Sequence, residues 1–241
     1  MMFCYILEEH LNIEELDLLI AKYDLLRHPF YKAWSAGELT HEDLCEYACD
    51  YYHHVKAFPS YLAQFAARLE NSELRNAVVG NMMDEEGTNG AEQKRSHADL
   101  WLDFAEGMGA NRDMLSCPQT PEMTALIHYF SNVAQERSPE EALAVFFVYE
   151  SQVPRLAEEK ARGLRLLYGA DDKTCSYFTL HTSADVYHAR VWRQQLTMLL
   201  KKNPRQKEAV LATAEGAAKA LWCALDGIEQ RRLHRALSTA S

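Results

Sequence analysis

The chain has 241 residues, with 25 lysines and arginines against 35 aspartates and glutamates, so its formal net charge is −10 at pH 7. A chain of this length can form a hydrophobic core without disulfides, and 48% hydrophobic with 25% charged residues is typical of a soluble globular protein. Because it lacks long Lys/Arg clusters, we expect neither nucleic acid nor an anionic membrane surface as a partner.

The cysteines and the apolar segments bear on the cellular compartment. Six cysteines occur without a CxxC pair or a regular framework, which favours reduced thiols over disulfides. The apolar start, Met1 to Leu7, has no basic segment and is followed by two glutamates, unlike a secretory signal. The longest apolar run, Ala142 to Tyr149, is too short to span a bilayer. We therefore expect a cytoplasmic protein.

The first half of the chain shows helical periodicity. Apolar residues recur at helical spacing over residues 16–26 and stop at Pro29. Thr40 is the expected N-cap of a helix that runs to residue 56 and bends near Pro59. Further helices are predicted at 72–86, 97–107 and 121–137.

The second half is also predicted to be helical. Ser138 and Pro139 are typical of a helix start, and the helix they open is expected to reach about Gly169. Two more helices, about 183–202 and 205–236, are separated by Pro204. The polar stretch 87–96 is the clearest loop inside the chain.

No stretch alternates with a period of two for long enough to predict a strand. The sequence therefore predicts an all-α fold, a single helical domain over residues 1–241. Its core would span about residues 12–202, and the helix at about 205–236 would pack on the bundle or on a second subunit.

The clearest chemical signal is a stripe of His181, Asp185 and His188. Positions i, i+4 and i+7 share one face of a helix, so these side chains would point towards one place, as metal ligands do. The alternative is a helix that starts at Ser183 as its cap, with His181 outside it and Asp185 favouring the helix dipole.

Further acids and histidines strengthen the metal interpretation. Glu150 ends an apolar run that is expected to be buried, where an ionised carboxylate needs a partner such as a cation or Arg155. Glu85, in an acidic helix end, and His97, after the polar loop, add an oxygen and a nitrogen. With three carboxylates and three histidines, the set suits two iron or manganese ions. A ferritin-like site is disfavoured because the chain has only one Glu-x-x-His pair, and that pair straddles a helix start.

Several long runs can be compared with known families: FYKAWSAGELT (30–40), DYYHHVKAFP (50–59), MDEE (83–86), HADLW (97–101), YESQVPR (149–155) and ADVYHA (184–189). Together they resemble the p-aminobenzoate-forming family of the Chlamydia protein associating with death domains. That family has the haem-oxygenase-like fold, as do thiaminase-II (TenA) and pyrroloquinoline-quinone biosynthesis protein C (PqqC). The likeness extends from about residue 14 to residue 200.

This resemblance implies a haem-oxygenase-like helical bundle, a homodimer, and two metal ions per chain, iron or iron with manganese. It assigns as metal ligands Glu85, His97, Glu150, His181, Asp185 and His188. It also implies an oxygenase that makes p-aminobenzoate for folate synthesis once per chain, from its own side chains, with dioxygen and a reductant. The ring would come from Tyr31 and the amine from Lys160.

The chemistry of this assignment is reasonable, but both residues have simpler interpretations. Tyrosine carries a ring substituted para by carbon and oxygen, so cleavage, oxidation and exchange of oxygen for nitrogen would yield p-aminobenzoate. Tyr31 could instead be a packing residue at a helix junction. Lys160 could be a surface lysine, since a straight helix would carry it roughly 15 Å beyond Glu150. A kink at Pro154, between the two residues, would change this geometry.

Two other functions fit parts of the pattern. The first is a cofactorless oxidase similar to PqqC, which would act on a small polycyclic substrate without metal. The second is an interaction protein that binds death domains, but no feature of the sequence marks a docking surface and such a role would not require Glu150. Metal analysis separates the first alternative from the dimetal hypothesis.

Overall fold

The computed structural model describes residues 13–88, 94–112 and 118–239, and these ranges contain helices and turns without any β-strand. The all-α prediction is therefore confirmed, and none of the described helices is long and apolar enough to cross a membrane. Residues 13–22 are helical, and short 3-10 turns lie at Leu25–Arg27 and Pro204–Gln206. The remaining helices are α1 (Pro29–Ala36), α2 (His41–Ala67), α3 (Ser72–Glu85), α4 (His97–Gly107), α5 (Pro121–Glu136), α6 (Pro139–Glu150), α7 (Val153–Leu167), α8 (Ser176–Lys202) and α9 (Lys207–Thr239).

Helix α2 begins as predicted but continues further. Thr40 caps it in a reciprocal capping box with Asp43, whose backbone N–H donates to Thr40 Oγ1 at 3.1 Å. The prediction that the segment ends near residue 56 is wrong, because the helix passes through Pro59 to Ala67. An interior proline costs about 3 kcal/mol, and the helix persists there because it buries several large apolar side chains: Phe58, Leu62 and Phe65.

The single long helix predicted from residue 138 to residue 169 is two helices, α6 and α7. Pro154 has no N–H to donate to the carbonyl of Glu150, so α6 ends there and a new helix starts at Val153. The Gln152 side chain holds the break, since it accepts from Leu25 N at 3.0 Å and donates to Val148 O at 3.1 Å.

Two 27-residue helices organise the bundle. Helix α2 packs against α3, α4 and α5, whereas α8 packs against α4, α6 and α7. Helix α9 covers α5 and α6. Helix α6 is buried on every side from Glu140 to Glu150, as its apolar run predicts. The candidate ligands therefore lie inside the bundle, on α3, α4, α6 and α8.

Candidate metal centre

Three of the predicted ligands, Glu85, His97 and His181, form one buried group whose ligand atoms lie within 4.8 Å of one another. His97 Nδ1 is 2.8 Å from Glu85 Oε2, and the His97 and His181 ring centroids are 4.5 Å apart. His181 Nδ1 also lies 2.7 Å from the carbonyl oxygen of Tyr177. This carbonyl holds the orientation of the ring, as a metal-binding histidine requires.

The other three, Glu150, Asp185 and His188, form a second buried group within the same distance limit. His188 Nδ1 lies 3.4 Å from Asp185 Oδ1 and 4.0 Å from Glu150 Oε1. Asn81 Nδ2 donates to Glu150 Oε1 at 2.9 Å, and Trp192 Nε1 donates to Glu150 Oε2. Two neutral donors therefore hold the Glu150 carboxylate in place.

The stripe on α8 contributes to both groups. Because α8 begins at Ser176, His181 lies within the helix, and the alternative with Ser183 as the cap is wrong. The prediction that all three side chains point towards one place also needs correction. His181 belongs to the first group while Asp185 and His188 belong to the second, since seven residues of helix rise by about 10 Å, too far for one ion.

A small cavity of about 10 Å³ borders both groups and is lined by Glu85, Glu150, His181 and Asp185, among others. This volume accommodates about one water-sized particle. The two groups are therefore adjacent halves of one chamber.

Burial and charge shift the pKa values in this chamber in different directions. Burial raises the pKa of Glu150 to about 8. Burial opposes the charged form of His188, but Asp185 and Glu150 outweigh it and raise the pKa of His188 to about 10. Burial would also raise the pKa of Glu85, yet the adjacent His97 lowers it overall. The protons favoured on Glu150 and His188 thus offset much of the negative charge of the buried carboxylates. Metal ions bound here would displace these protons.

The donor set fits two metal ions. Each group offers both oxygen and nitrogen, which suits iron and manganese. His97 Nδ1 lies close to the Glu85 carboxylate without the orientation of a hydrogen bond, and it has no hydrogen-bond partner among the described residues. An ion bound between these two side chains would give both atoms a partner. Arg155, the predicted alternative partner of Glu150, instead contacts Asp24 at 2.7 Å on the surface.

Sequence reasoning missed the residues that support the ligands. Asn81 precedes Glu85 by four positions and Trp192 follows His188 by four, so helical spacing from a predicted ligand could have identified both. Asp84, whose Oδ2 lies 3.1 Å from His188 Nε2, was noted only as part of an acidic run.

A second polar region lies beside the metal centre and contains the two predicted substrate residues. Lys160 Nζ donates hydrogen bonds of 2.8 Å to the hydroxyls of both Tyr31 and Tyr47, and it lies 4.2 Å from the centroid of the Tyr31 ring. Lys160 is 7% exposed and Tyr31 is 2% exposed. The surface interpretation of Lys160 is therefore wrong, because the break before α7 invalidates extrapolation along a straight helix.

We call this region, made by Tyr31, Trp34, Tyr47 and Lys160, the lysine cage. Burial lowers the pKa of Lys160 well below its ordinary value and raises the pKa of Tyr31 and Tyr47 well above theirs. Burial therefore favours the neutral form of the amine and of both phenols. Gly163 permits this packing, since a Cβ there would lie 2.8 Å from Trp34 Nε1.

Two tyrosines separate the cage from the metal centre. Tyr149 and Tyr177 line both the 10 Å³ chamber and a neighbouring cavity of about 20 Å³ that contains Lys160. Tyr149 is hydrogen-bonded to Tyr51 and to Tyr177. The only sequence signal for these two walls is their spacing from the ligands, one residue before Glu150 and four before His181.

Comparison with known proteins agrees with this geometry. Residues 45–222 match a family described as iron-containing redox enzymes. The 4-aminobenzoate synthase of Chlamydia trachomatis serovar D is 38% identical over 216 residues, which cover 89% of this chain and 90% of that protein. The 4-aminobenzoate synthase of Nitrosomonas europaea is 33% identical over 229 residues and 90% of each chain.

More distant relatives define the fold. The pyrroloquinoline-quinone synthase of Acidiphilium cryptum is 27% identical over 84% of this chain and 81% of that protein. The crystal structure of a TenA homologue from Pseudomonas syringae superposes with a TM-score of 0.74 at 16% identity, over 92% of each chain. The haem-oxygenase-like fold is thereby confirmed. The chain belongs to the family of iron-containing redox enzymes that includes these 4-aminobenzoate synthases, and it is an oxidoreductase.

Proposed function

We propose that this protein forms 4-aminobenzoate from its own Tyr31 and Lys160 side chains, at a centre of two ions, iron or iron with manganese, using dioxygen and a reductant. Relatives named 4-aminobenzoate synthase, aligned over about nine-tenths of the chain, support the product. The observation that carries the proposal is the 2.8 Å contact between Lys160 Nζ and the Tyr31 hydroxyl inside a closed cage.

The atoms of the two side chains match the product. The tyrosine ring already carries carbon and oxygen in para positions, as 4-aminobenzoate carries carbon and nitrogen. The Cα–Cβ bond must break, and dioxygen must oxidise Cβ to a carboxyl group. The phenol oxygen must leave as water when nitrogen replaces it, and oxidation by dioxygen must release that nitrogen from Cε of Lys160, which is left as an aldehyde. The Lys160 amine lies at the phenol end of the ring, where that nitrogen is required.

The cage prepares the amine for this role. Because burial lowers the pKa of Lys160, it favours the uncharged amine, whose nitrogen has a free lone pair. Hydrogen bonds to Tyr31 and Tyr47 orient it, and the aromatic walls exclude water. The two groups of ligands would each hold one ion, and redox-active ions bound there would activate dioxygen and supply the oxidising power.

The size of the interior also supports an internal substrate. The chamber and the cavity beside Lys160 have volumes of about 10 and 20 Å³, which suit water-sized molecules and not an aromatic ring. A polycyclic substrate like that of a PqqC-type oxidase has no place in these two described cavities.

The decisive experiment tests whether Tyr31 is consumed. Protein labelled with ring-¹³C tyrosine during expression should yield labelled 4-aminobenzoate, at no more than one per chain, whereas free labelled tyrosine added to finished protein should not. Peptide mapping should reveal a mass loss at Tyr31, with the peptide that contains Tyr47 as the unchanged internal control.

A variant completes the test. Tyr31→Phe keeps the packing volume and should fold, bind metal and make no product. Several products per chain, or normal yield from Tyr31→Phe, would show that Tyr31 is a packing residue and not the source of the ring. Neither result would contradict the metal centre.

A further inference from the structure

Ions must reach a centre whose ligands are all buried, with exposures from 1% for Glu150 to 6% for Glu85. Two openings adjoin the ligands among the described residues. One is a cleft of about 490 Å³ that reaches Asp185, and the other is a cavity of about 140 Å³ that reaches His188. We call the second the His188 cavity.

The two openings differ in their permanently charged residues. The cleft is lined by two aspartates and two arginines, and Asp17 is already paired with Arg193 at 2.7 Å. The His188 cavity has no lysine or arginine among its lining residues, and its one acidic residue, Asp84, contacts His188 at 3.1 Å. A cation in the His188 cavity therefore meets carboxylate, amide and imidazole groups without an arginine beside them, which favours this cavity for a divalent ion.

Polar atoms continue through this cavity to the centre. The Asp84 side chain is 34% exposed, and its Oδ2 contacts His188 Nε2 at 3.1 Å. The other ring nitrogen, Nδ1, faces Asp185 at 3.4 Å inside the chamber. Asn81 also lines the cavity, is 3% exposed, and has a buried Oδ1 with no hydrogen-bond partner among the described residues. Carboxylate and amide oxygens can replace waters of a hydrated dication, and imidazole can then accept it.

We propose that the His188 cavity is the route by which divalent cations reach the buried centre, with Asp84 as the outer ligand and His188 as the last side chain passed. This proposal rests on the proposed function only in assuming that the centre binds metal ions. It concerns the rate of metal uptake and is independent of whether Tyr31 is consumed.

The test uses the full-length apoprotein and Co²⁺, whose d–d absorption reports binding in a stopped-flow experiment. Asp84→Asn keeps the shape of the side chain but removes its charge, and the uptake rate should fall by about tenfold or more at a Co²⁺ concentration high enough to saturate the variant at equilibrium. The matched control is Glu86→Gln, since Glu86 belongs to the same acidic run and is exposed. It should load at the wild-type rate.

A second variant narrows the route without touching a ligand. Gly80 lines the cavity, and a Cβ built there meets no atom within 4 Å, so Gly80→Leu has room to fold while it fills the passage. It should load slowly, whereas Gly80→Ala should load almost normally. Circular dichroism verifies that both variants are folded.

The outcomes separate this inference from the proposed function. Wild-type protein that binds no Co²⁺ would contradict the metal centre itself. Wild-type uptake rates in both Asp84→Asn and Gly80→Leu would overturn the route alone. If Asp84→Asn lost final occupancy while Gly80→Leu loaded at the wild-type rate, Asp84 would only orient His188, and the route would again be wrong.

Discussion

The metal centre and the lysine cage lie side by side, share Tyr149 and Tyr177 as walls, and keep polar groups buried by different means. In the metal centre, carboxylates and imidazoles lie against each other, so charge is paired. In the cage, Lys160 donates to two phenols and has no carboxylate among its hydrogen-bond partners in the described residues, so burial lowers the pKa of the amine. The comparison indicates that one region compensates buried charge with opposite charge, whereas the other disfavours the charged form of its amine.

Loss of a ligand should give the largest effect, because it removes a whole ion. Asp185→Ala or His188→Ala should reduce metal content from about two ions per chain to about one. The reason is that both residues belong to the group around Glu150. Glu85→Ala should remove the other ion. Elemental analysis measures the content and circular dichroism checks the helices; unchanged metal in both α8 variants would refute their assignment as ligands.

Replacement of the caged amine should affect product and stability in opposite directions. Lys160→Met keeps the length of the side chain, should abolish product, and should leave metal content unchanged. The free energy of unfolding at pH 7 should rise by roughly 1–3 kcal/mol, because a buried ionisable group is replaced by an apolar one. Urea denaturation measures it, and a large loss of stability would show that the hydrogen bonds of Lys160 outweigh its desolvation.

The same pair of proteins should differ in the pH dependence of stability. Because burial lowers the pKa of Lys160 in the folded protein, the unfolded state binds more protons at pH values between that lowered pKa and 10.5. The wild-type free energy of unfolding should therefore rise with pH relative to Lys160→Met, by up to about 1.4 kcal/mol per pH unit. Parallel pH curves for the two proteins would mean that the amine is charged in the cage.

Removal of a residue that supports a ligand should weaken metal binding without abolishing it. Asn81→Ala frees the Glu150 oxygen that accepts its 2.9 Å hydrogen bond. Equilibrium metal affinity should fall by about 10- to 100-fold. Competition with a metal chelator measures this, and Asn76→Ala, an exposed asparagine on the same helix, serves as the control and should bind like the wild type.

The smallest effect is expected from Arg155→Ala. Arg155 is 61% exposed and pairs with Asp24 rather than with Glu150. Its loss should change the free energy of unfolding by less than about 1 kcal/mol and leave metal content unaltered. Loss of a metal ion in this variant would show that Arg155 does balance the negative charge of Glu150.

Prediction from the sequence succeeded where the signal is local. The capping box at Thr40 and the bounds of α4 follow from residues within one or two turns. Prediction was wrong at Pro59, which stays within a helix, and at Pro154, which ends one. The two prolines differ in tertiary context. The first lies among buried apolar side chains of α2. The second lies next to a break between helices that the Gln152 side chain stabilises by hydrogen bonds to the backbone of Leu25 and Val148.

The sequence by itself determined that His181, Asp185 and His188 share a helix face and that Glu150 ends a buried apolar helix, because periodicity and hydrophobicity specify both. Only the tertiary structure divided the six candidate ligands between two groups and brought Lys160 against Tyr31. These contacts join residues far apart in the chain, 129 positions in the case of Lys160 and Tyr31. Such contacts depend on how distant helices pack against one another, and a local sequence pattern does not specify that packing.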